Sequence, residues 1–321
     1  MSVTQSKLEA SLERVRALVR DPREGLFGPN SCTWLVARET GIFLAAGRAA
    51  LLQLAHPFVA HAVDQHSATR TDPAGRFLRT FESVFPMVFG DLESAFACAR
   101  RVHGVHRTIV GRVTEDVGEL RQGDPYHANQ EAALFWVAAT LLDSAILARE
   151  LLLGPLSPSF KEQYYQEHRR FVYLFGVTDE HIPPTWGDFQ RYNRAMWASA
   201  ALEPGRVARQ LAGFLMAPPG FLLAPPTRAY GALTVALLPE PIREGFGLKL
   251  DATNRSLSRA ALAAARRAYP LLPPSVRFLP AYRDAVRRVE RRPRGRVAAL
   301  LERRIRDAAE AGLREALQRP G

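Results

Sequence analysis

Five of the chain's eight histidines, His56, His61, His66, His103 and His106, fall between positions 56 and 106. Imidazole is the commonest metal ligand and titrates nearest neutrality, so the clustering raises a metal site first. Spacing constrains that idea. His56, His61 and His66 are five apart, and five residues of a regular helix turn through about 140°, so successive rings point to different sides. They do not clamp one ion as an HExxH pair does. His61, Asp64 and His66 outline a His/Asp metal-dependent hydrolase as one reading; the plainer one is a set of polar or core imidazoles bonded to backbone. His103 and His106, in RRVHGVHRTIVGRV, are three apart and share a helix side with Val102, Val105, Ile109 and Val113. One neutral histidine on such an apolar face is what a five-coordinate haem needs, the opposite side being left open to dioxygen. A lone histidine on such a face is more often structural.

A second constellation lies in RFLRTFESVFPMVFG, where Arg76 and Thr80 are four apart and share a helix face. Phe77, Phe81 and Phe85 run down an adjacent stripe. A cation and a hydroxyl aimed into an aromatic-lined cavity suit an anionic or oxygen-bearing ligand. The competing reading is an arginine paired with a core carboxylate and a threonine bonded to its own helix.

The elements that must position these groups read as helices throughout, with no run of alternating β-branched residues. Helical patterns cover about 7–20, 34–55, 58–67, 74–84, 91–118, 128–153, 159–174, 186–201, 204–214, 227–247, 254–268 and 280–317, each boundary good to about 2–4 residues. The expectation is an all-α chain folding as one cooperative domain. An N-terminal amphipathic helix (1–24) carries Leu8, Leu12, Val15, Leu18 and Val19 on its docking face, a main body spans 25–290, and a basic helix covers 291–321. The Pro-dense piece from Ala217 to Pro226 is the most plausible seam.

With 321 residues, 47% of them apolar and 23% charged, the chain can bury a large core, which excludes a disordered tail. Two cysteines, Cys32 and Cys98, lack CxxC spacing and read as buried thiols in a reducing compartment. Charges throughout the first twenty residues argue against a secretory signal, so a cytoplasmic location is expected. The apolar stretches Gly41 to Ala62 and Leu211 to Leu238 are interrupted by Arg48, Gln53, His56 and Pro57 and by prolines and Arg228, so neither reads as a clean membrane span.

Taken in order, Leu-Leu-Gln-Leu-Ala-His-Pro (51–57), Asp-Gln-His-Ser (64–67), Arg-Phe-Leu-Arg-Thr (76–80), Val-Phe-Gly (88–90), Val-His-Gly-Val-His-Arg-Thr-Ile-Val-Gly (102–111) and Tyr126 ahead of Leu-Phe-Trp-Val-Ala-Ala-Thr (134–140) resemble the MpaB-type oxygenase family, whose best understood members are the latex-clearing rubber oxygenases. The resemblance runs from about Gly25 to Arg288. It implies an all-α domain with a globin-like core that holds haem b, and oxidative chemistry with dioxygen on a hydrophobic small molecule of lipid or prenyl type. Carried over by position, His106 is the iron ligand, being followed five residues later by Gly111, and Arg76 and Thr80 are the Arg-x-x-x-Thr pair beside the haem. His56 and His66 are second-choice residues that line the pocket or bond a propionate. Two departures matter: Arg79 stands where rubber oxygenases have lysine, and no acid occupies the position near Ala60 where they carry a glutamate base. Polyisoprene cleavage is therefore not expected.

The rival class is a non-catalytic haem- or ligand-binding protein touching membrane surfaces. The net charge is +11, and an Arg-rich stretch runs from Arg283 to Arg306. Such a stretch attracts acidic lipid headgroups or nucleic-acid phosphate. Yet Leu300, Leu301, Ile305, Ala308, Leu313 and Leu317 recur at helical spacing, which makes the arginines the solvated face of an amphipathic helix. Aromatics are not interleaved with them as nucleic-acid stacking requires, so the expectation is a weak membrane-surface contact and no nucleic acid.

Overall fold

The computed structural model describes residues 1–67, 73–216 and 225–291, excepting the side chains of residues 73–79 and 225–227. The basic helix expected over 291–321 and most of the Pro-dense seam therefore lie outside the described residues. The architecture is all-α as expected, with one addition: a two-stranded antiparallel sheet, β1 (Val110–Arg112) and β2 (Pro125–His127). One contiguous core runs from Val3 to Ala285.

At its centre lies α7 (Glu131–Leu153). The helix is long and apolar enough to cross a membrane, but 61% of its most apolar stretch is buried inside the protein. A helix that is apolar all round is what a domain centre demands. Against it pack α3 (Ala46–Leu54) and α8 (Pro158–Tyr173). Next to α3 come α4 (Pro57–His66) and α10 (Arg206–Met216). The N-terminal α1 (Gln5–Leu18) buries Leu8, Leu12 and Val15, as its spacing predicts, while Leu18, expected on the same face, is exposed at the helix end. Glu131, almost fully buried, anchors it: Lys7 Nζ sits 3.1 Å away, and the Thr178 N–H and hydroxyl donate to the same carboxylate at 3.1 and 2.9 Å.

Tertiary contacts broke several of the predicted helices. The span read as 34–55 is α2 (Cys32–Ala37), a tight turn Thr40–Ala45, and α3. Tyr269 Oη accepts from the Gly41 N–H at 2.9 Å and donates to buried Glu39 at 2.9 Å, so a phenol inserts where a continuous helix would run. The helix read as 91–118 stops as α6 (Leu92–Thr108). Thr108, Ile109 and Val110 are β-branched and Gly111 follows, a run that favours extended chain over further helix. Ile109 and Val113 consequently leave the His106 face and join a small second core with Val117, Tyr126 and Phe58.

The opposite error occurs in α5 (Pro73–Phe89), which continues through Pro86. An internal proline costs about 3 kcal/mol. The turn beyond it buries Met87, Val88 and Phe89 at 1%, 8% and 2% exposure, and each such side chain is worth about 1.5–3 kcal/mol, so burial wins.

Candidate functional site

An apolar cavity of about 230 Å³ lies between α5, α3, α7 and α8. One wall is the aromatic stripe expected on α5: Phe81 and Phe85 have ring centroids 5.2 Å apart, Phe89 follows at 6.1 Å, and Phe43 meets Phe81 edge-on at 4.9 Å. Phe77 belongs to the residues whose side chains are not described. The facing wall is built from methyl groups, Ala45, Ala46, Ala49 and Ala50. Interiors pack to crystal-like density, so large rings facing alanines leave room that neither side fills. The space exists because one wall is small.

Thr80 is half-buried and lines this cavity, immediately before Phe81 of the aromatic stripe. The side chains of Arg76 and Arg79 fall outside the described residues. His168 on α8 also lines the cavity, one turn beyond Tyr164, with the two rings nearly parallel and 6.3 Å apart. Burial pushes the His168 pKa down to about 3, so its ring is neutral.

The remaining candidate histidines lie outside the cavity lining, around the hairpin. His66 Nε2 donates to Val110 O at 3.0 Å, and the neighbouring Gln65 Nε2 donates to Arg112 O at 3.0 Å. Tyr126 Oη closes the arrangement by donating to Gln65 Oε1 at 2.7 Å. Gly111 faces Tyr126 across the strands, and a Cβ there would stand 2.5 Å from both that hydroxyl and Gln65 Oε1. The glycine of the motif is thus required by the close approach of Tyr126. His56 precedes α4, its ring 5.5 Å from Phe58, its Nδ1 buried with no hydrogen-bond partner. Burial lowers its pKa to about 4.

The structure separates the two histidines of RRVHGVHR. His103 is buried, and its Nε2 donates to Val3 O at 3.1 Å. Its own carbonyl accepts from Asn129 Nδ2 at 3.2 Å, so the residue ties α6 to the N-terminal segment. His106 is half-buried in the last turn of α6, immediately before the hairpin. His61 is spoken for at both nitrogens: Nδ1 donates to Pro57 O at 2.8 Å and Nε2 accepts from Thr114 Oγ1 at 3.1 Å. Among the described residues no group of three His, Cys, Asp or Glu side chains could hold a metal ion, so the His61, Asp64 and His66 hydrolase lacks its geometry.

A haem asks for an apolar slot and a neutral imidazole nitrogen. The cavity offers apolar surroundings beside such a group, and burial keeps the imidazoles of His56 and His168 neutral. The donor chemistry fits such a group. The sequence reading had overlooked His168 and the alanine wall. Tyr164, His168 and Phe171 recur at i, i+4 and i+7, a spacing that marks His168 as lying on a buried helix face.

A family model described as ER-bound oxygenase mpaB/B'/Rubber oxygenase, catalytic domain, matches residues 33–269. Neither a curated protein nor a solved structure matches.

Proposed function

The chain belongs to the MpaB/rubber oxygenase catalytic-domain family, and from that premise we propose that it is a haem b-dependent oxygenase acting with dioxygen on a hydrophobic small molecule. The single observation that carries this reading is the apolar cavity, which brings Thr80 and the α5 aromatic stripe onto one surface. Haem, when bound, supplies the redox-active iron that dioxygen chemistry requires.

The chain's own residues have distinct tasks in this proposal. His106 would hold the iron, because the other histidine of its motif is committed to Val3. Arg76 and Thr80, four apart on α5, would orient a propionate and the oxidant, and Thr80 being a residue of the cavity lining supports this. His56 and His66 would flank the group on the hairpin side. Phe81, Phe85 and the alanine wall hold an apolar substrate and exclude water. The Arg-rich stretch beyond residue 291 would let the protein sample membrane surfaces, where such a substrate dissolves.

Absorbance of the purified protein is the test. A Soret band at near one haem per chain, lost in His106→Ala, is the expected result. Colourless protein that cannot be reconstituted with haemin would sink the proposal. Loss of the band in His103→Ala and not in His106→Ala would move the ligand by one turn.

A further inference from the structure

Among the described residues the cavity contains few polar groups, and most of them are satisfied within the protein. Thr33 Oγ1 donates to Glu167 Oε2 at 2.8 Å, Gln53 Nε2 donates to Thr140 Oγ1 at 3.0 Å, and Ser144 Oγ accepts from Arg48 Nη1 at 2.8 Å. His168 differs. Its side chain lines the cavity at 8% residue exposure, and Nε2 is buried with no hydrogen-bond partner. Buried polar atoms are almost always paired, so an orphan on a residue of the cavity lining marks a place where something else supplies the partner.

The tautomer says what that partner must be. Burial keeps the ring neutral, and a backbone hydrogen bond at Ala138 works in the opposite direction, favouring the protonated ring. A bond with that effect is one donated to a carbonyl. Since Nε2 is the orphan, the donor is Nδ1–H, and a neutral ring with its proton on Nδ1 presents a lone pair at Nε2. A lone pair accepts. It rejects an ionised carboxylate, a ketone or an ether, none of which carries a proton to give. An ammonium group could donate, but it would bring an unpaired charge into an apolar cavity.

We propose that His168 is the polar anchor of the cavity, its Nε2 accepting a hydrogen bond from the hydroxyl group of an otherwise apolar ligand such as a long-chain or prenyl-type alcohol. The hydrocarbon part lies between Phe81 and Phe85 on one side and Ala46, Ala49 and Ala50 on the other. This rests on the reading of the cavity as the substrate's place, and it does not require the iron.

The test uses the full-length protein with 1-dodecanol and its methyl ether as matched probes, titrated by calorimetry. Wild-type protein is expected to bind the alcohol about tenfold more tightly, the value of one buried hydrogen bond. In His168→Phe the ratio should fall to near one while the ether still binds, and His168→Gln should restore part of the preference. Should the variants fail to fold, wild-type protein labelled with ¹⁵N-histidine answers the question by itself, because the His168 Nε2 resonance should move with the alcohol and not with the ether. A ratio near one in wild type, a preference that survives in His168→Phe, or a Soret band that depends on His168 would each overturn the proposal. Protein that never takes up haem yet keeps the alcohol preference removes the oxygenase reading and supports this one. A haem protein without the preference does the reverse.

Discussion

Arg48 Nη2 lies 2.6 Å from Asp143 Oδ2, and the same guanidinium gives Nη1 to Ser144 Oγ at 2.8 Å and Nε to Leu237 O at 2.9 Å. One buried side chain thus clasps α3, α7 and the end of the helix Pro225–Leu237, and because Ser144 lines the cavity the clasp fixes part of its wall. Removing one member of a buried pair leaves the other uncompensated, at a cost of about 3–5 kcal/mol. Asp143 keeps 21% side-chain exposure, which places Arg48→Met near the lower end, about 3 kcal/mol. Arg48→Lys keeps the charge but loses the fork and should cost less. Denaturant unfolding of the two variants checks the order.

The histidines of RRVHGVHR should separate by phenotype. His103→Ala removes the donor to Val3 O and opens the seam where the N-terminus meets Asn129, so a loss of about 1 kcal/mol and faster hydrogen exchange over residues 1–18 are expected, with haem content unchanged. His106→Ala should leave exchange there unaltered and abolish the Soret band.

Acid should weaken the fold through two imidazoles. Burial lowers the folded-state pKa of His56 to about 4 and of His168 to about 3, against an ordinary value of 6.5. Between those values and 6.5 the unfolded chain binds protons that the folded chain refuses, so stability is full above pH 6.5 and declines as pH falls towards 3. His168→Phe has no proton to bind in either state. Its unfolding free energy, measured from pH 7 down to pH 4, should fall less steeply than that of the wild type; an unchanged slope would refute the assignment.

Gly111 and Tyr126 should behave as one unit. A Cβ at position 111 would press on the Tyr126 hydroxyl from 2.5 Å, so Gly111→Ala must displace the phenol and break its bond to Gln65. Tyr126→Phe loses that bond alone, about 1 kcal/mol. Gly111→Ala should cost more, and the double variant should cost less than the sum, since the ring lacks the oxygen that the new methyl strikes. A double-mutant cycle by thermal unfolding measures the coupling.

The helical body was legible because long apolar periodicities, such as that of α7, carry strong local information. The α5 face was equally plain: a phenylalanine every fourth residue declares one side. What escaped depended on partners far along the chain. Tyr269 breaks the helix at Gly41 from 228 residues away, and the hairpin's strands are three residues each, too short to show alternation. Alanine is at home on any helix face, so the small wall of the cavity leaves no periodic trace. His168 sits among charged residues in YYQEHRRF, where the eye reads a solvated face before it counts the i, i+4, i+7 positions.

The alanine wall also separates a binding cavity from a packing fault. Leu52 on α3 is 1% exposed and closely packed, so Leu52→Ala should lose about 2–5 kcal/mol, the usual range for such a truncation. Ala49, one turn earlier on the same helix, lines empty space instead. Ala49→Leu places three carbons into that space, where each buried methylene contributes about 0.8 kcal/mol and overpacking elsewhere subtracts about 1–3. The two terms nearly cancel, so the melting temperature should stay level or rise. Binding should not follow stability: 1-dodecanol affinity is expected to drop at least tenfold, because the added carbons occupy its place. A protein that tolerates a filled cavity yet loses its ligand keeps that space for function, since nothing in its stability calls for it.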